Sequence, residues 1–222
     1  MSSTNPNTRG GDGVDDFPTP PWVIERLLER VSLPVGRILE PCAGEGLVID
    51  TMRRREWCCG HFTAVEIQER HRASLHDCAD VVEIADLREY LSHAERSSHL
   101  RFDLAITNPP FKHALEVLKR SRKVARWTVL LLRVGFLEGG ASPDTEERAA
   151  FLDVDMPDVY VLPNRPPFAK STKTGKWGTD SATYAWMVWT AEKRSVGKAT
   201  RLAVTPKDVR SAWMRLQREK DQ

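Results

Sequence analysis

Gly36-Arg37-Ile38-Leu39-Glu40-Pro41-Cys42-Ala43-Gly44-Glu45-Gly46-Leu47-Val48-Ile49 is the stretch that decides the fold. A short apolar run ends in a carboxylate, a proline stops it, and a glycine-bearing turn leads into a second apolar run. The pattern predicts a first strand over Gly36–Glu40, a turn over Pro41–Gly46 and a helix over Leu47–Arg55. Glycines in such a turn let the backbone pass close to a ligand, which then lies in the crevice beyond the carboxyl ends of the strands. Gly-x-Gly after a strand is also a common tight turn, so this stretch alone leaves both readings open.

Working outward, strand-like and helix-like segments alternate, which favours a parallel sheet covered by helices on both faces, an α/β fold. Upstream, Thr19 is placed to cap a helix with Pro20 at its first position, and Val23, Ile24, Leu27, Leu28 and Val31 recur at helical spacing. Downstream, strands are expected at His61–Ile67, Val81–Ala85, Phe102–Thr107, Trp127–Arg133, Val159–Leu162 and Thr183–Thr190. Helices are expected at Glu69–His76, Ala114–Lys123 and from Ser142-Pro143 to Phe151. Trp127–Arg133 is continuously apolar, the mark of a strand buried on both faces. Residues 164–180 read as a loop, and Thr205-Pro206 opens a last helix over 205–220 with Val209, Trp213 and Leu216 inward. Trp22, Trp127, Trp186, Trp189 and Trp213 fall on apolar faces and read as core.

The 222 residues suit one α/β domain, and 41% apolar content excludes a disordered or fibrous chain. Residues 1–16 are polar and glycine-bearing; they read as a disordered tail before a single domain over 17–222. They lack the apolar centre of an export signal, and no apolar run is long enough to span a bilayer. A cytoplasmic protein with reduced thiols at Cys42, Cys58, Cys59 and Cys78 is therefore expected. No pair among Cys58, Cys59, His61 and Cys78 has the spacer of a zinc knuckle, and the six histidines form no ligand spacing, so no metal is expected. Residues 1–100 carry 11 basic and 17 acidic side chains, whereas residues 101–222 carry 22 and 14, balances of −6 and +8. The asymmetry suits a polyanionic partner for the second half.

Three further positions lie at successive strand tips. Glu66 stands 20 residues beyond Gly46, where a carboxylate can accept from both hydroxyls of a cofactor ribose. Asp86 ends the third strand, where it can accept from an adenine amino group, with Ile67 and Leu87 beside the two acids. Thr107-Asn108-Pro109-Pro110-Phe111 ends the fourth. Two prolines fix the backbone there and remove two donors, leaving acceptors. The Asn108 side-chain oxygen and the Pro109 carbonyl can together accept both hydrogens of an amino group, which localises the nitrogen lone pair. Phe111 offers a flat face to a base taken out of its helix.

These blocks resemble the class I S-adenosylmethionine-dependent methyltransferases, and among them the amino-methyltransferases with an Asn/Asp-Pro-Pro-aromatic motif, here NPPF. Small phage-type DNA N6-adenine enzymes are the nearest in pattern, on the stretches Arg165-Pro166-Pro167-Phe168, Thr179-Asp180-Ser181 and Tyr184-Ala185-Trp186. The resemblance runs from about Phe17 to Thr190. It implies a Rossmann-like, seven-stranded mixed sheet whose last strand is antiparallel. It implies S-adenosylmethionine as cofactor, held by Phe17, Thr19, Glu40, Pro41, Cys42, Ala43, Gly44, Gly46, Glu66, Ile67, Asp86, Leu87 and Asn108. It assigns chemistry to Asn108, Pro109, Pro110 and Phe111. It places Phe111, Lys112, Arg165, Phe168, Lys170, Lys173 and Lys176 against the substrate, the lysines on phosphates.

The implied reaction is direct in-line transfer of methyl to N6 of adenine in double-stranded DNA. RNA adenine N6 and a protein glutamine amide are the alternative acceptors, although glutamine enzymes usually end the tetrapeptide in Tyr. A non-catalytic binding subunit is a third reading, disfavoured because cofactor loop and tetrapeptide are both present. Only 32 residues follow Thr190, so sequence selectivity is expected from loops such as 164–180 rather than from a separate recognition domain.

Overall fold

The computed structural model describes residues 17–55, 59–97, 101–139, 142–170, 177–179 and 181–220. The tail over 1–16 and the positions Cys58, His99, Lys173, Lys176 and Asp180 lie outside these residues. Strands β1 (Arg37–Glu40), β2 (His61–Glu66), β3 (Val81–Ile84), β4 (Phe102–Thr107), β5 (Ala125–Arg133), β6 (Asp158–Val161), β9 (Tyr184–Trp189) and β10 (Ala199–Arg201) form one sheet, ordered β10-β6-β9-β5-β4-β1-β2-β3. Between β6 and β9, the two-residue strands β7 (Ala169–Lys170) and β8 (Trp177–Gly178) pair antiparallel. The helices are α1 (Pro21–Leu28), α2 (Leu47–Arg53), α3 (Arg72–His76), α4 (Leu87–Arg96), α5 (Ala114–Val124), α6 (Pro143–Val154) and α7 (Lys207–Lys220).

Strands β3, β2, β1, β4 and β5 run parallel, and β9 is inserted antiparallel between β5 and β6. This is the expected closing hairpin. The implied strand count of seven is corrected to eight: β10 adds parallel to β6 at the edge. Its three residues are all exposed, so no apolar alternation marked them as a strand. The strand order reverses between β1 and β4, and ligands of open α/β sheets bind at such a reversal.

Alternation along the central strands fills both faces. Ile38, Ile106, Val129 and Leu131 join one cluster with Trp22, Ile49, Phe62 and Trp186. Leu39, Ala105, Leu130 and Leu132 face the other way, against α4, α5 and Trp189. A strand buried on both sides must read as a continuous apolar run, which is why β5 does. Trp186 Nε1 donates to the Val23 carbonyl at 2.8 Å and pins α1 to β9.

A buried ion pair locks α5 to the end of α6. Arg122 Nε lies 2.9 Å from Asp155 Oδ2, with the two side chains 7% and 2% exposed. Arg122 Nη1 also donates to the Thr190 carbonyl at 2.7 Å, and Trp189 Nε1 donates to the Asp155 carbonyl at 2.8 Å. The three elements that meet here are thus joined by polar groups with their partners in place.

Four expectations change. Helix α1 is preceded by Pro20 with no side-chain cap, so Thr19 is not its cap. Helix α4 was not expected: it is mostly charged, and only Leu91 and Ala94 are buried. On α7 the buried side chains are Trp213 and Gln217, while Val209 and Leu216 are 39% and 53% exposed. The loop over 164–180 contains the β7–β8 pair. Among the described residues no helix is long and apolar enough to cross a membrane.

Candidate functional site

The carboxyl ends of β1, β2, β3 and β4 surround a cavity of about 280 Å³. Its wall collects Phe17, Thr19, Glu40, Pro41, Cys42, Ala43, Gly44, Glu66, Ile67, Asp86, Leu87, Asn108, Pro110, Lys112 and His113. Of the residues expected to hold a cofactor, Gly46 alone is absent from this lining. Residues 70 positions apart in sequence meet here because the strand order reverses between β1 and β4.

The two glycines of the turn have different tasks. Gly44 has φ +52°, and a Cβ built on it would meet nothing within 4 Å, so its backbone fronts open space. Gly46 has φ +82° and precedes α2; a Cβ there would lie 2.5 Å from Cys78 Sγ. Gly46 is therefore required by packing and by the left-handed turn, not by contact with the cavity.

Glu66 is 6% exposed and held by the backbone on both sides. Oε2 accepts from the Gly44 N–H and Oε1 from the Gln68 N–H, each at 2.8 Å. Each oxygen keeps a second lone pair, so the carboxylate is oriented yet still able to accept. Alanine at Glu66 removes this ligand acceptor and leaves two backbone donors without their partner. The expected result is a cofactor Kd weakened by about ten- to a hundredfold, from about 1–3 kcal/mol per unsatisfied group. Calorimetric titration with S-adenosylmethionine, on protein whose folding is verified by circular dichroism, checks it.

Glu40, 2% exposed, lies deeper. Burial raises its carboxyl well above the ordinary range, the nearby Glu66 adds to this, and a hydrogen bond from the Ile49 backbone opposes it. Its Oε2 has no hydrogen-bond partner among the described residues. Beside it, burial and then the charges of Glu66 and Glu40 push the Cys42 thiol far up. Cys42 is therefore a neutral thiol rather than a nucleophile.

Asp86 does more than the sequence suggested. It caps α4, accepting from the Arg88 N–H at 2.8 Å, and its carboxylate also takes a two-pronged contact from the Arg88 guanidinium. The Arg88 side-chain hydrogen bonds, aided by the backbone bond and opposed by partial burial, hold its pKa at about 2. This lies below the unfolded value of about 3.9, so the stabilisation is complete above about pH 4 and is lost as pH falls toward about 2. Asp86→Asn should therefore unfold more easily than the parent near neutral pH, with the gap closing between about pH 4 and 2. Thermal unfolding of both proteins across that range checks the sign.

Asn108 carries the most informative geometry. Its Nδ2 donates to Thr19 Oγ1 at 3.1 Å and approaches the Phe17 carbonyl at 3.5 Å. The amide nitrogen is thus committed to the segment before α1. Its Oδ1 is buried with no partner among the described residues. A buried acceptor without a donor costs free energy unless a ligand supplies the donor. The sequence marked both Thr19 and Asn108, but not that one orients the other.

Around Asn108 four rings gather. Phe17 and Phe111 stack at 6.2 Å between centroids, Phe111 and Tyr184 lie 5.7 Å apart, and Phe168 meets Tyr184 edge-on at 5.0 Å. Phe168, expected to stack a base, is only 6% exposed; its ring belongs to the core beneath Tyr184 and Phe17. Pro109 is buried and Arg165 is exposed. Of the four expected phosphate-side cations besides Arg165, Lys112 lines the cavity, while the side chain of Lys170 and the residues Lys173 and Lys176 lie outside the description. Tyr184 and Arg133 were not anticipated as site residues, because their apolar strand context reads as core. Among the described residues no group of His, Cys, Asp or Glu is placed to hold a metal ion.

Comparison with protein-family models finds no match, and comparison with curated proteins finds none. Solved structures do match. One is a type I restriction-modification methyltransferase subunit from Streptococcus thermophilus, with TM-score 0.58 and 12% identity over 93% of this chain and 54% of that one. Another is a modification subunit of a putative type I restriction enzyme from Vibrio vulnificus YJ016, with TM-score 0.53 and 14% identity over 86% and 48%. The 23S rRNA methyltransferase ErmE matches with TM-score 0.50 and 13% identity over 89% and 75%. The chain spans about half the length of the two restriction-modification structures. At these identities the likeness is one of fold, and the fold is the Rossmann-like one of class I methyltransferases, extended by an eighth strand.

Proposed function

We propose that this chain is an S-adenosylmethionine-dependent methyltransferase that methylates N6 of adenine in double-stranded DNA. The observation that carries the reading is the Asn108 amide, with its nitrogen tied to Thr19 and its buried oxygen lacking a donor at the edge of the cavity. An exocyclic amino group would supply that donor.

The residues present fit the cofactor. Gly44 leaves room for close approach, Glu66 presents oriented acceptors to ribose hydroxyls, and Ile67, 53% exposed, offers an apolar surface beside it. Bound there, S-adenosylmethionine supplies an electrophilic methyl group. Asn108 Oδ1 and the Pro109 carbonyl then accept the two amino hydrogens and draw the nitrogen lone pair out of conjugation with the ring. The rigid Pro109-Pro110 backbone keeps these acceptors in place, so orientation supplies much of the rate. An amide is not a base, so the proton lost by the methylated nitrogen passes to solvent. The basic second half of the chain and Lys112 at the cavity suit a phosphate backbone. The restriction-modification proteins of similar fold bear DNA modification in their names, which favours DNA over RNA and over a glutamine amide.

The test is expression in a host lacking adenine methylation, beside the Asn108→Ala variant, with N6-methyladenine in purified DNA measured by mass spectrometry. Marks from the parent alone support the proposal. Unmarked DNA from soluble protein that binds the cofactor would sink it and point to RNA or a protein glutamine.

A further inference from the structure

Arg133, the last residue of β5, ends beside the tetrapeptide. Its guanidinium carbon lies over the Phe111 ring, 4.7 Å from the centroid. Its Nε donates to the Tyr184 hydroxyl at 3.3 Å. Phe17 and Tyr184 also approach Phe111, but their centroids are 6.2 and 5.7 Å away and their planes are inclined by 26° and 40°. The flat group nearest the Phe111 face is therefore a guanidinium, in the place that a stacked base would take. Tyr184 is 2% exposed and fixed in β9, whereas Arg133 is exposed and reaches the ring on a flexible stem. A cation over an exposed aromatic face is held weakly, so another π surface can displace it.

Resting on the reading above, we propose that Arg133 is the place-holder of the target base and, once displaced, the clamp on that nucleotide's phosphate. In the free protein the guanidinium covers Phe111 and keeps the platform from being an open apolar surface. When a base stacks on Phe111, the guanidinium leaves the ring and its planar fork pairs with the phosphate that entered with the base. No bond is made or broken; one ring contact is exchanged for another, and an ion pair is added. The arrangement selects a nucleotide polymer over a protein glutamine, which brings neither ring nor phosphate.

Steady-state methyl transfer to genomic DNA free of adenine methylation is measured at several salt concentrations, with saturating S-adenosylmethionine, for the parent, Arg133→Gln and Arg133→Lys. Arg133→Gln should raise KM for DNA about fivefold or more, with kcat within about twofold and cofactor affinity unchanged. It should also flatten the dependence of log KM on log salt by about 0.9, the loss of one phosphate contact. Arg133→Lys should restore the salt slope while KM stays between the two, because a point charge lacks the planar fork. An unaltered salt slope in an active Arg133→Gln enzyme would overturn the proposal, as would a loss of activity explained by weaker cofactor binding. A parent enzyme that binds cofactor but methylates no DNA would instead overturn the reading on which it rests.

Discussion

Replacing Asn108 with alanine is expected to lower kcat for methyl transfer by about 10²- to 10³-fold, while the Kd for S-adenosylmethionine stays within about threefold. The acceptor matters mainly in the transition state, when the amino nitrogen gives up conjugation and its hydrogens become more acidic. The amide contributes little to cofactor binding, because Glu66 and the Gly44 turn supply those contacts and are held by each other. Alanine also releases Thr19 Oγ1, which then lacks the donor that Asn108 Nδ2 provided. Asn108→Asp separates the two roles. It keeps an oxygen toward the amino group but replaces the donor to Thr19, so its activity should fall between parent and alanine variant. Single-turnover kinetics with calorimetric cofactor titration reads kcat and Kd independently. Equal losses in both would assign Asn108 to cofactor binding rather than to the chemical step.

The largest expected effect on stability lies away from the cavity. Asp155→Ala should cost about 3 kcal/mol, the lower end for breaking a buried ion pair, because Arg122 would be left charged with only carbonyl partners. For a chain of this size that lowers Tm by roughly 6–12 °C. Asp155→Asn keeps the shape and one acceptor and should cost less than alanine. Urea unfolding should show a lower midpoint with an unchanged slope, since the compactness of neither end state alters. Cofactor affinity of the folded fraction should be preserved, as neither residue lines the cavity. A full-strength midpoint in Asp155→Ala would mean that the Thr190 and Arg126 carbonyls suffice to hold Arg122.

Much of this was legible in the chain itself. Continuous apolar runs marked β4 and β5, because a strand covered on both faces has no polar positions to alternate. Gly44, Gly46, Glu66, Asp86 and Asn108 were legible because each follows a strand at its carboxyl end, and parallel strands bring those ends to one edge. Helix α4 was not, since a surface helix with two buried residues carries little periodic signal. Nor was β10, whose pairing with β6 comes from its place at the sheet edge rather than from its exposed side chains.

The sequence by itself determined the alternation of strands and helices, and which residues stand at the strand tips, because periodicity and turn chemistry are local. Only the tertiary structure decided what those residues do to one another. Thr19 turns from a helix cap into the group that orients Asn108, and Asp86 becomes the cap of a helix. Phe168 passes from a base platform to buried core, and Arg133 comes to lie over Phe111. Each of these depends on contacts between segments far apart in the chain, and hydrogen-bond direction, burial and ring stacking exist only once the sheet has brought them together.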